Sequence, residues 1–321
     1  MLLEEKIRLG LFAGAVLAVY AAALVLVINA AARALQSRRG LAPQPPGRAV
    51  RRVRAAVFAL ALAGIGCFAY ARLIEPTWLE VTHVRVESDR LPRGARPVRL
   101  VHISDVHSDP VTRLEERLPA AIAAERPDLI VFTGDAINSP DGLANFRGLM
   151  IRLAAVAPTY AVRGNWDTRQ WGRIDLFGGT GVVELERDAV VARLGEERPA
   201  LWIVGLDADS GDEMESALGR VPAGALSVVL HHYPEEIGRV AALGADLYCA
   251  GHTHGGQVAL PFYGALVTMS RTGKRYEAGL YREGRTSLYV NRGIGMEGGA
   301  APRVRFFARP EVTVIELHPP G

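Results

Sequence analysis

"VRLVHISDVHSD", residues 98–109, is an apolar run that breaks abruptly into polar and charged residues. Val98–Ile103 reads as a buried strand, and the tail after it delivers Asp105 and His107 at the strand's carboxyl end. The same grammar recurs downstream, where Asp128–Thr133 runs into "TGDAIN" and Thr159–Val162 into "RGNWD". Between these strands, Arg113–Glu125 and Gly142–Val156 carry apolar residues at helical spacing. A βαβαβ rhythm of this kind predicts an α/β domain that begins with a largely parallel sheet. Later segments are mostly strands: Gly181–Leu185, Leu201–Leu206, Leu226–Leu230, Asp246–Ala250, Thr286–Asn291 and Glu311–Leu317, with one helix near Pro234–Leu243. The expectation is two β-sheets packed together with helices outside.

Ligands of open α/β sheets collect beyond the carboxyl ends of the strands. Asp105, His107, Asp135 and Asn165 should therefore converge, although about thirty residues separate successive motifs. The later tails "LHHYPE" and "CAGHTHGGQ" add His232, His252 and His254. Each motif alone is ordinary, since Gly-Asp and Gly-Asn are common turn dipeptides. In "GHTHGG", strand alternation would put His252 and His254 on one face, and the glycines would let the backbone turn close to a ligand. Five such motifs in order, each after a strand, form a specific set.

From about Val98 to its end the chain resembles the calcineurin-like metallophosphoesterases. It is most similar to their membrane-anchored bacterial branch, which includes UDP-2,3-diacylglucosamine hydrolase-like proteins. The matching motifs are Asp105-x-His107, Gly134-Asp135, Gly164-Asn165-x-Asp167, His232-x-Pro234 and Gly251-His252-x-His254. The resemblance implies two mixed β-sheets sandwiched between helices. It implies two divalent metal ions, one held by Asp105, His107, Asp135 and His254, the other by Asp135, Asn165, His232 and His252, with Asp135 bridging. His231 competes with His232 for its place; the proline two residues on speaks for His232. The donor set of nitrogen and oxygen suits manganese, iron, zinc or cobalt without choosing among them. Such a centre keeps a positive surplus that attracts phosphate oxygens and activates water. The implied activity is hydrolysis of a phosphoric ester or anhydride, with Asp135, Asn165 and Asp167 in the catalytic set.

One position departs from the pattern. Trp166 stands where the family usually has a histidine that stabilises phosphate oxygens or protonates the leaving group, aided by the adjacent acid Asp167. Indole can donate a hydrogen bond but cannot shuttle a proton near neutral pH. General acid catalysis contributes about 10²–10⁴-fold, and its loss matters most when the leaving group is a poor one. The expected substrate is therefore a lipid-linked or nucleotide-lipid phosphodiester or pyrophosphate, UDP-2,3-diacylglucosamine-like, with Trp166 as a wall of the substrate site. The alternative is a membrane-anchored metal-binding module with little or no catalysis.

The N-terminal third predicts an anchor over residues 1–74. Leu9–Ala32 has 24 residues without a charge and Ala55–Ala71 has 17. As helices these runs are about 36 Å and 26 Å long, against a hydrocarbon core of about 30 Å. The loop between them carries Arg33, Arg38, Arg39, Arg48, Arg51, Arg52 and Arg54 and no acid. The positive-inside rule places it in the cytoplasm and the catalytic domain outside. Residues 75–97 read as a linker and first strand region, and 98–321 as the phosphoesterase domain. A net charge of +3, much of it in the membrane-flanking loop, argues for no nucleic-acid partner. Cys67 and Cys249 lie in unlike settings and suggest no disulfide. "RTGKRY" (Arg271, Lys274, Arg275) reads as a solvated basic turn or a phosphate clamp, and "ALPFYGALV" (Ala259–Val267) as core packing or a lipid contact.

Overall fold

The computed structural model describes residues 1–41, 44–194, 200–298 and 302–320. The helices are α1 (Leu3–Arg38), α2 (Arg48–Leu73), α3 (Leu118–Ala124), α4 (Leu143–Ala154), α5 (Asn165–Arg169), α6 (Met214–Leu218) and α7 (Ile237–Ala242). The strands are β1 (Glu80–Glu87), β2 (Val98–Ile103), β3 (Leu129–Phe132), β4 (Thr159–Ala161), β5 (Val183–Glu184), β6 (Arg187–Ala192), β7 (Leu201–Leu206), β8 (Leu226–His231), β9 (Leu247–Ala250), β10 (Ala259–Leu260), β11 (Gly264–Ala265), β12 (Gly279–Glu283), β13 (Thr286–Val290) and β14 (Glu311–His318). Residues 42–43 of the arginine-rich loop lie outside the described residues.

Two mixed sheets form the domain. The first has the order β1-β14-β2-β3-β4-β5 and the second β12-β13-β9-β8-β7-β6. In the first, β2 to β5 run parallel and β14 is antiparallel to β2. In the second, β13, β9, β8 and β7 run parallel, with β12 and β6 antiparallel at the two edges. Alternation along the strands sets the layers. Leu100, Leu129 and Val131 face the second sheet, meeting Ile203, Val228 and Leu230. Their neighbours Val101, Ile130 and Phe132 face outward under Leu118, Phe146 and Leu149 of α3 and α4. The second sheet presents Val204, Val229 and Tyr248 to Met214, Ile237 and Val240 of α6 and α7. Strands covered on both faces are apolar throughout, which is why their runs stand out in the sequence.

Several elements differ from expectation. The helix expected over 113–125 begins only at Leu118. Pro119 occupies its first turn, where a missing N–H is harmless. Before it, the buried Glu115 carboxylate accepts from the Arg113 and Leu114 N–H groups and pins a turn. Strands β6 and β12 lie outside the expected set: both are edge strands whose residues are mostly exposed or half-buried, β6 with only the short apolar stretch Ala189–Ala192 and β12 with none. Strand β1 pairs along its whole length with β14, so the first strand region belongs to the sheet.

Helices α1 and α2 are both long and apolar enough to cross a membrane, and their apolar stretches are 0% and 11% buried. They pack on each other where Tyr20 Oη donates to the Ala61 carbonyl at 3.1 Å. A Cβ at Gly64 would lie 2.6 Å from that hydroxyl, so this glycine makes room for the contact. The hairpin returns to where it began. Glu5 of α1 accepts from Thr268 N–H and Oγ1 at 2.8 and 2.9 Å, and the Ala71 carbonyl of α2 accepts from Arg305 N–H at 2.9 Å.

Candidate metal centre

Each expected ligand stands where a strand gives way to a tight turn. The backbone is left-handed at Asp105 (φ 50°), His107 (42°), Asp135 (59°), His252 (72°) and His254 (53°). Asp and His tolerate this region better than most residues, yet each such residue still costs roughly 1–3 kcal/mol. The turns brace one another. Asp105 N–H donates to the Gly134 carbonyl at 2.8 Å and His107 N–H to the Asp135 carbonyl at 3.0 Å. A side chain at Gly134 would meet the Gly164 nitrogen at 2.3 Å, so only glycine lets those two loops close.

The side chains converge. Asp135 Oδ2 lies 3.6 Å from His107 Nε2 and 3.4 Å from His232 Nε2. Asp105 Oδ1 lies 3.3 Å from His254 Nε2 and 4.0 Å from His232 Nε2. His107 Nε2 and His254 Nε2 are 3.2 Å apart, and Asn165 Oδ1 is 3.1 Å from His232 Nε2. Two buried groups, Asp105–His107–His254 and Asp105–Asp135–His232, each bring one donor atom per residue within 4.8 Å of the others. His232 Nδ1 meets the Thr133 carbonyl at 2.7 Å, which turns its Nε2 toward the carboxylates.

Electrostatics tie the groups together. Burial acts to raise the Asp105 carboxyl, but the imidazoles of His254, His232 and His107 hold it well below the usual carboxylate range. Burial acts to lower His232, yet Asp135 and Asp105 push it up to about 10. His107 falls to about 4, chiefly through burial. A proton on His232 thus answers the same two carboxylates that a cation would answer. Buried carboxylates, an amide oxygen and imidazole nitrogens aimed at one point are a donor set that fits a divalent metal.

Comparison with known proteins decides the family. Residues 98–256 match the family model for the calcineurin-like phosphoesterases. The chain is 33% identical over 272 residues to "Uncharacterized metallophosphoesterase YkuE" of Bacillus subtilis, covering 82% of this chain and 93% of the relative. This chain belongs to the calcineurin-like phosphoesterases. It is also 30% identical to "Phosphodiesterase YaeI" of Escherichia coli, over 78% of this chain and 92% of that one. At 22% identity it matches "UDP-2,3-diacylglucosamine pyrophosphatase LpxG" of Chlamydia trachomatis, over 82% of this chain and 96% of the relative. The protein is a metallophosphoesterase, a hydrolase of phosphoric esters.

Within this phosphoesterase, two expectations need correction. His252 and His254 do not share a strand face, because β9 ends at Ala250 and both residues sit in the left-handed turn that follows. His254 joins the Asp105–His107 group. His252 packs edge-on against His232 at 5.1 Å, with its Nε2 3.4 Å from the Met269 carbonyl, and stands outside both groups. Asp167 does not face the reacting space. Its fully buried carboxylate accepts from the N–H groups of Asp135 (2.7 Å), Ala136 (2.9 Å) and Gly164 (2.9 Å). It is a positioning residue for the two loops. Of the paired histidines, His231 turns its Nδ1 to the Leu206 carbonyl at 3.1 Å, leaving His232 to face the carboxylates. His102 lies aside, bonded through Nε2 to Thr133 Oγ1 at 2.9 Å.

Trp166 lies beside the cluster. Its ring meets His107 edge-on at 5.7 Å, and its backbone N–H donates to Asp135 Oδ1 at 2.8 Å. A cavity of about 520 Å³ opens over Asp135, Asn165, Trp166, His252 and His254, and Glu297 lines it too. Burial pushes the Glu297 carboxyl up. The sequence reading missed Glu297. It stands in a glycine-rich segment beyond the carboxyl end of β13, the same place in the strand grammar as the metal motifs.

Proposed function

We propose that this phosphoesterase holds two divalent metal ions, is anchored by two membrane-spanning helices, and hydrolyses a lipid-linked phosphodiester or pyrophosphate. The observation that carries the reading is the position of Asp135. One of its carboxylate oxygens sits between His107 and His232, as a bridging ligand would, while the other is held by the backbone N–H of Trp166. Cations held there supply Lewis-acid polarisation of a phosphate and a nucleophile at neutral pH. Asp105, His107, Asp135 and His254 would hold one, and Asp135, Asn165, His232 and His252 the other. Manganese, iron, zinc and cobalt all suit these donors.

The remaining residues bias the choice of bond. Asp167 fixes the backbone that presents Asp135. Trp166 offers an apolar face and an indole N–H, and neither protonates an alkoxide. A phosphate leaving group departs without full protonation, so the pyrophosphate or an activated diester is favoured. The Chlamydia relatives whose names specify a UDP-2,3-diacylglucosamine pyrophosphatase support a lipid-linked substrate. The helical hairpin supports a multi-pass anchor. Its arginine-rich loop lies at the far end from the domain, so the positive-inside rule puts the domain outside the cytoplasm. The test is elemental analysis of the purified full chain, followed by turnover of an activated aryl phosphodiester with Asp135→Ala as control. About two metals per chain with Asp135-dependent turnover is expected. Two metals with no turnover on any activated ester would instead establish a silent metal-binding module.

A further inference from the structure

Outside the metal set, five described non-glycine residues have a left-handed backbone, and three of them are large, apolar and exposed: Phe262 (φ 65°), Met269 (57°) and Phe307 (52°). Phe262 stands at the tip of the β10–β11 hairpin with its side chain wholly exposed. A bulky residue in this region is strained, and a bare phenyl ring gains nothing from water. Strained backbone of this kind points to a functional contact. It also removes core packing as the reading of "ALPFYGALV" at its centre.

All three residues lie where α1 and α2 meet the domain. Tyr263, beside Phe262, accepts a hydrogen bond from Arg8 of α1 at 3.3 Å. Met269 follows Thr268, which is bonded to Glu5 of α1. Phe307 N–H donates to Glu75, just beyond α2, and Phe306 packs edge-on against Tyr70 of α2 at 6.1 Å. Ala259 N–H donates to the Phe306 carbonyl at 2.8 Å, so the hairpin and the 306–307 segment form one surface. The level is set by the helices. Arg8 immediately precedes the apolar run of α1, and Arg72 immediately follows that of α2. Cations complete the rim: Lys274 Nζ sits 3.7 Å above the Tyr263 ring, and the Arg309 guanidinium 4.3 Å above the half-exposed Trp78. Aromatic rings with flanking cations at the ends of apolar helices are the composition of a membrane–water interface.

We infer that this rim, led by Phe262, Tyr263, Met269 and Phe307, is embedded in the headgroup layer of the bilayer that α1 and α2 cross. The inference rests on the proposal that those helices span. Its consequence is catalytic, because Met269 and Met1 also line the metal cavity. The mouth of the site then stands at the membrane surface, where a lipid-linked phosphate enters without leaving the bilayer.

The test uses the full chain in vesicles of phosphatidylethanolamine and phosphatidylglycerol, with one nitroxide spin label per molecule. Native Cys67, exposed on α2, takes the label in the unaltered chain, since Cys249 is buried. Phe262→Cys, Phe307→Cys and Val191→Cys are labelled in a Cys67→Ser background. Val191 pairs with Trp202 near the start of β7, at the sheet end remote from the metal centre. The readout is the ratio of collisional accessibility to oxygen and to a polar nickel complex. Positions 67, 262 and 307 are expected to show ratios severalfold above position 191. Ratios at 262 and 307 equal to that at 191, with 67 in lipid, overturn the rim contact and leave the spanning helices intact. A label at 67 in water overturns both.

Discussion

The two sheets contribute unequally to the metal centre. In the proposed two-metal site, the first supplies every oxygen donor, Asp105, Asp135 and Asn165, together with His107. The second would supply only imidazoles, His232 and His254 from the two clustered groups and His252 from beside them. The halves also differ in how their loops are held. Those of the first sheet brace one another, through Asp105 N–H to Gly134, Asp135 to Trp166 N–H, and the Asp167 carboxylate to three amides. Those of the second lean on the first: His232 Nδ1 on the Thr133 carbonyl and His252 N–H on Asp105 Oδ2 at 3.1 Å. The first half therefore builds the site and the second completes it.

The sharpest way to break this asymmetry is to compare Asp135→Ala with His254→Ala. Removing Asp135 takes away the proposed shared ligand and unties the Trp166 backbone N–H, so metal content and aryl diester turnover should both vanish. Removing His254 leaves the Asp105–Asp135–His232 group intact. Elemental analysis should then find roughly one metal retained per chain, the count a two-metal site leaves when one position is lost. Equal metal loss in both variants would show that the halves are equivalent after all.

Trp166→His changes chemistry without changing the scaffold. It restores a proton donor beside His107, worth on the order of 10²-fold for a poor leaving group. The ratio of alkyl monoester to aryl diester turnover should rise toward that value. An unchanged ratio would show that protonation does not limit this site. Asp167→Ala acts on the scaffold alone, leaving three buried amides unpartnered at about 1–3 kcal/mol each. A lower melting temperature in detergent and metal affinity weaker by about 10–100-fold are expected, as for other residues that orient ligands.

The strand ends were legible in the sequence because strands buried on both faces are apolar runs, and a polar tail after each is conspicuous. The positions of Asp105, His107, Asp135, Asn165, His232 and His254 follow from that pattern. What the sequence concealed was backbone handedness. "GHTHGG" reads as alternation, but left-handed turns at His252 and His254 send the two rings to different neighbours. Asp167 was misread for a similar reason. It adjoins Trp166 in sequence, while its carboxylate reaches back over 32 residues to the Asp135 amide. Edge strands β6 and β12 lack the fully buried apolar run of the central strands. Glu297 lies in the tail of β13, where a buried strand again gives way to polar residues and glycines.

The smallest expected effect tests where the two halves touch. Gly251 precedes His252 in the second half, and a Cβ there would lie 2.0 Å from Ser104 Oγ and 2.3 Å from Asp105 Oδ2 in the first. Gly251 also donates its N–H to the His232 carbonyl at 3.0 Å, so it cannot retreat without moving a ligand. Gly251→Ala should cost about 1–3 kcal/mol, the usual penalty for one methyl forced into a packed interior. Activity should fall more than stability, because the displaced atom belongs to Asp105, a proposed metal ligand. Ser104→Gly removes the nearer obstacle, so the double variant should recover part of the melting temperature while metal binding stays weak. The Asp105 oxygen remains in the way. Full recovery of both would place the strain on the serine alone. It would also mean that the second half can shift freely against the first, which is contrary to the dependence seen in its hydrogen bonds.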